Sequence, residues 1–94
     1  MPLRRGIDDA RNRIFVRLAS DAISQRRYDD ALAHARSALA CDPCDESACE
    51  VAIRAHLLRE ERGEALRVFR TYREALQREL GAEPSAALAK LVTS

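Results

Sequence analysis

Four successive blocks of this 94-residue sequence place their apolar residues three and four apart, with short polar breaks between them. That spacing is the helix period, and none of the blocks alternates as a half-buried strand would. The first block runs from about Ile7 to Gln25 and puts Ile14, Phe15, Leu18, Ala19, Ala22 and Ile23 on one stripe. The second, from about Tyr28 to Ala40, carries Ala31, Leu32, Ala35, Ala38 and Leu39. The third, from near Asp45 to about Arg59, carries Cys49, Ala52, Ile53, His56 and Leu57. A fourth carries Ala65, Leu66, Phe69, Tyr72, Leu76 and Leu80. Pro84 then opens a short helix whose Leu88 and Leu91 can fold back onto the rest.

The breaks have recognisable chemistry. Asp8 or Asp9 suits the start of the first helix, where the backbone dipole is positive. Pro43 cannot continue the second helix and pushes Asp42 out of helical angles. Asp45 can cap the third, or Ser47 and Glu50 can form a capping box there. Gly81 is placed to close the fourth in the left-handed conformation. The expected fold is all-α.

Composition narrows the function. The net charge is only +1, and arginines are interleaved with acids instead of forming a stripe. That gives little electrostatic drive towards nucleic acid or an anionic membrane. No apolar run approaches the ~18 residues that would span a bilayer. Acids and arginines follow MPLRRG at once, where a signal peptide would have its apolar core. Residues 1–6 read as a tail and residues 7–94 as one domain of a cytoplasmic protein.

Sliding the sequence by 34 residues lays Phe15 on Cys49, Ala22 on His56, Ala31 on Ala65, Leu32 on Leu66 and Ala35 on Phe69. Small residues at Ala31 and Ala65 let antiparallel helices approach, with Phe15, Leu18 and Tyr28 expected to fill the gap. The stretch YDDALAHARSALACDP resembles the second helix and closing proline of a tetratricopeptide repeat, whose period is about 34 residues. The fold expected is a tetratricopeptide-like array of antiparallel helix pairs, about two repeats plus a short C-terminal helix.

From Asp42 onwards the resemblance becomes narrower. Asp42, Pro43, Asp45 and Glu46 at the junction are followed by Arg54-Ala55-His56, then Glu64-Ala65-Leu66, Tyr72 and the tail ELGAEPS at 79–85. Over roughly residues 11 to 92 the chain resembles the bacterial transcriptional activation domain of Streptomyces antibiotic regulatory proteins and related activators. In that family the domain follows a winged-helix DNA-binding domain. No winged helix is read in this sequence, so direct promoter recognition is not expected of it. Position 60 departs from the family, which commonly turns on glycine there; this chain has Glu60, with Gly63 three residues later.

All three cysteines fall in CDPCDESAC, residues 41–49. Cys41-x-Pro-Cys44 invites a redox reading, but thioredoxin-like sites follow a strand, and none is expected here. The resemblance implies hydrophobic residues at positions 41 and 44, so the thiols are expected to pack as small apolar groups. A zinc site would need His34 or His56, each seven residues from its nearest cysteine and so ~10 Å along a helix. No metal, cofactor or catalytic constellation is expected. His56 reads as a packing residue with one hydrogen-bond partner, and His34 as surface.

The resemblance implies an interaction module that binds protein: a second copy, other parts of a regulator, or the transcription machinery. In the repeat family the concave, groove-facing positions fall on Arg13, Val16, Ser20 and Ile23, and again on Ser47, Glu50, Arg54 and Leu57. An array of so few repeats leaves apolar ends open, which predicts a homodimer. The alternatives are a stand-alone tetratricopeptide-like adaptor, a small helix-turn-helix DNA-binding protein, and a thiol redox or metal protein.

Overall fold

A computed structural model describes the backbone of residues 2–93 and the side chains of residues 10–93. Its elements are α1 (Pro2–Ser24), α2 (Tyr28–Cys41), α3 (Glu46–Leu58), α4 (Arg62–Leu80) and α5 (Ala86–Thr93), and no strand occurs among the described residues. The fold is the expected tetratricopeptide-like array: α1 pairs with α2, α3 with α4, and α5 closes the far end.

The repeat is visible in the backbone itself. Between α1 and α2, the Arg26 amide donates to the Ile23 carbonyl at 2.9 Å and the Arg27 amide to Ala22 at 2.8 Å. Between α3 and α4, the Glu60 amide donates to Leu57 at 2.9 Å and the Glu61 amide to His56 at 2.8 Å. Each bond of the first turn recurs 34 residues on. Ala31 and Ala65, which occupy equivalent places in the second helices, are both fully buried.

The linker between the two pairs also follows from its sequence. α2 ends at Cys41, and Asp42 is extended at φ −144°, ψ 96°, as the residue before a proline should be. The Asp42 carboxylate accepts the Cys44 amide at 3.0 Å, an Asx turn that tightens the corner. Asp45 caps α3 by accepting the Ala48 amide at 3.1 Å. The Ser47–Glu50 box does not form, because Asp45 is the N-cap and Ser47 already lies inside the first turn of α3.

At the C-terminal end Gly81 closes α4 in the left-handed region, φ 60°, as anticipated. Ser85, not Pro84, caps α5: its Oγ accepts the Leu88 amide at 3.2 Å and donates to Glu46 on α3 at 2.7 Å. The ELGAEPS tail is therefore a stop for one helix, a cap for the next, and a tie back to α3.

Two clusters form the core. Ala19, Ala22, Ala31, Leu32, Ala35, Val51, Ala52 and Ala55 pack where α1, α2 and α3 meet. Cys49, Ile53, Ala65, Phe69, Tyr72, Leu76, Leu88 and Val92 pack where α3, α4 and α5 meet. α3 touches every other helix and is buried on more than its predicted stripe, with Ala48, Val51 and Ala55 inside as well.

The first helix departs from expectation. It begins at Pro2, so Asp8 and Asp9 lie inside it and neither caps its start; their side chains lie outside the described residues. Ile14 and Leu18 are exposed, at 62% and 42%, and do not fill the space between α1 and α2. At about 100° per residue Ile14 lies roughly opposite Asn12, and Leu18 lies about 100–120° round the helix from Ala19 and Asn12. Among the described residues α1 packs only on α2 and α3, so only one of its two apolar faces is covered. The covered face includes Asn12, which is 3% exposed. Leu80 is likewise exposed, beyond the reach of the core.

Candidate protein-interaction groove

An open groove of about 550 Å³ runs between α1 and α3, over the α2–α3 turn. Arg13, Val16, Arg17 and Ser20 line it from α1, Asp42 and Asp45 from the turn, and Ser47 from the first turn of α3. Four of the eight groove-facing positions named from the sequence therefore converge: Arg13, Val16, Ser20 and Ser47. The other four do not line it. Ile23 packs against the first core cluster and Leu57 against the second. Glu50 and Arg54 pair with each other, 2.8 Å apart, one turn along α3.

Asn12 builds the floor of this groove and carries no signal in the apolar pattern. Its Nδ2 donates to the Ala38 carbonyl at 3.0 Å and to Asp45 Oδ2 at 2.8 Å. One amide thus joins α1, the last turn of α2 and the cap of α3. Both neighbours are acceptors, which fixes the NH₂ side of the amide towards them. The Asn12 Oδ1 is buried without a hydrogen-bond partner. The only available hint was a polar residue at the point where a helical apolar stripe would continue.

A second polar centre lies under the α3–α4 turn. The His56 ring, 5% exposed, holds Nδ1 2.8 Å from Glu61 Oε1. Arg59 reaches Glu61 Oε2 at 3.2 Å and also pairs with Asp29 at the start of α2. The single partner anticipated for His56 is thus Glu61, five residues on. His34 is half-buried on α2.

No disulfide joins the three cysteines; Cys41 and Cys44 are half-buried and Cys49 is buried. Burial, reinforced by Glu46, Asp45 and Glu50, pushes the Cys49 thiol up to about 12. A thiol so placed stays protonated and is neither nucleophile nor ligand. Among the described residues no three His, Cys, Asp or Glu side chains converge as a metal site. No described helix is long and apolar enough to cross a membrane.

Paired helices in a two-repeat array with an open groove define a tetratricopeptide-like helical domain. The family model described as the bacterial transcriptional activator domain matches residues 2–94, and the chain belongs to that family. Neither the curated proteins nor the solved structures contain a match.

Proposed function

We propose that the chain is a non-enzymatic protein-interaction module of a bacterial transcriptional regulator, working in the cytoplasm as a homodimer. Membership of the activator-domain family supports the regulatory setting. The observation that carries the interaction reading is the groove between α1 and α3. Its walls offer arginine, carboxylate, hydroxyl and valine side chains on rigid helices, a mixture suited to a protein segment. The partner is a second copy, another part of the regulator, or the transcription machinery, and the chain makes no direct contact with DNA.

Self-association is assigned to the outer edge of α1, where Ile14 and Leu18 present exposed apolar surface, 62% and 42%, among the described residues. The groove is tested by binding of purified bacterial RNA polymerase and of a second copy to immobilised protein. Ser20→Trp and Ser47→Trp fill the groove from exposed positions and should leave helicity unchanged. Loss of one interaction by roughly tenfold or more in both variants is the expected outcome, equivalent to about 1.4 kcal/mol. Binding of neither protein, or binding indifferent to both substitutions, contradicts the assignment.

A further inference from the structure

On the other side of the molecule, a cleft of about 270 Å³ lies between α2 and α4 with α3 beneath. The groove described above plays no part in it. Leu39 from α2 and Val68 from α4 supply apolar wall, and Arg36 and Arg67 line it from those same two helices. His56 of α3 lines it from below.

The histidine is what makes this more than a gap between helices. Its side chain is 93% buried, and Nδ1 faces the Glu61 carboxylate. A carboxylate only accepts, so in the neutral ring the proton sits on Nδ1 and Nε2 is left as a bare acceptor. Nε2 has no hydrogen-bond partner among the described residues, yet it is not sealed from solvent as Asn12 Oδ1 is. An acceptor of a buried ring, held in a fixed tautomer and open to a cleft, is placed to take a donor from outside.

The arginines add the second requirement. Neither Arg36 nor Arg67 forms an ion pair among the described residues, although Glu64 also lines the cleft. The cleft is left with one net positive charge and two guanidinium groups drawn from different helices. Guanidinium favours the two-oxygen face of a carboxylate. The volume, about 270 Å³, falls just below the roughly 300 Å³ at which pockets for drug-sized ligands begin, which restricts the occupant to a small molecule.

We propose that the α2–α4 cleft binds a small hydroxycarboxylic acid. Its carboxylate sits between Arg36 and Arg67, its apolar body lies on Leu39 and Val68, and its hydroxyl donates to His56 Nε2. Such a ligand would bridge the second helices of the two repeats across this cleft. The site would then report a metabolite to whatever the rest of the domain binds.

The probes are 4-hydroxyphenylacetate, phenylacetate, which lacks the hydroxyl, and 4-methylphenol, which lacks the carboxylate. Each is titrated into the isotope-labelled chain while amide and His56 ring resonances are followed. Saturable shifts centred on residues 36–39, His56 and 67–72 are expected, with 4-hydroxyphenylacetate tighter than either comparison compound by roughly fivefold or more. Arg36→Gln and Arg67→Gln, both at exposed positions, should each weaken 4-hydroxyphenylacetate while leaving 4-methylphenol unchanged. Absence of saturable shifts, equal binding of the three compounds, or indifference to both arginine variants overturns the proposal. Any of these outcomes leaves the reading of the α1–α3 groove untouched, because no residue is shared between the two.

Discussion

Arg26 and Glu60, 34 residues apart, hold the same left-handed backbone, at φ 61° and φ 60°. They occupy the same place in the two turns that join first to second helix, and each is followed by a residue of nearly identical angles: Arg27 at φ −101°, ψ 73° and Glu61 at φ −107°, ψ 67°. The geometry belongs to the repeat and does not depend on the residue. Where the family commonly has glycine, this chain imposes the same turn on a glutamate.

That imposition has a cost. A residue with a Cβ in the left-handed region loses roughly 1–2 kcal/mol, partly offset because glycine loses more entropy on folding. Glu60→Gly and Arg26→Gly should therefore each stabilise the domain, by about 0.5–1 kcal/mol. Urea unfolding reads this as a higher midpoint at unchanged slope. The effect should be clearer at Arg26, because Glu60 neighbours the Arg59–Glu61–His56 network.

Asn12 should be far less tolerant. Asn12→Ala removes the donor to Ala38 and Asp45 and should cost about 1–3 kcal/mol. Asn12→Asp, almost the same shape, puts a carboxylate against an acceptor carbonyl and the Asp45 carboxylate. It should be the more damaging of the two at neutral pH, and acidification that protonates the new group should narrow the difference. Denaturant midpoints of both variants across the acid range check this. Equal destabilisation at all pH values would contradict the geometry.

Alkaline pH should expose the two raised acids in the second cluster. Cys49 moves from 9.0 to about 12 and Tyr72 from 10.0 to about 12, both chiefly by burial. Each binds its proton more tightly folded than unfolded. Their contribution is thus complete below pH ~9 and is lost as pH climbs towards ~12. Stability should fall over that window, and Cys49→Ala should flatten the part between the unfolded thiol and the unfolded tyrosine. In the native protein, Cys49 alkylation should proceed no faster than unfolding.

Much of this architecture was legible before any coordinates. The helix period, Pro43, Asp45 and Gly81 placed the elements because each acts locally: a ring, a carboxylate or a missing Cβ within one turn of the boundary. What was not legible depends on neighbours. Ile14 and Leu18 look like core from spacing alone, since an amphipathic pattern does not say which of two faces meets another helix. Asn12 was invisible for the converse reason: its value lies in acceptors 26 and 33 residues away. Half the expected groove positions fell out for a related cause. Ile23 and Leu57 are drawn into apolar clusters, while Glu50 and Arg54 satisfy each other.

The role proposed for this domain is to join proteins, beginning with its own second copy through the exposed edge of α1. Sedimentation equilibrium at tens of micromolar protein tests this, with Ile14→Glu/Leu18→Glu as the comparison, since both positions are exposed and neither belongs to the two core clusters. A mass twice the 10.5 kDa chain is expected for the unmodified protein and the single-chain mass for the double variant. A single-chain mass for the unmodified protein would contradict it, as would a dimer that survives both glutamates.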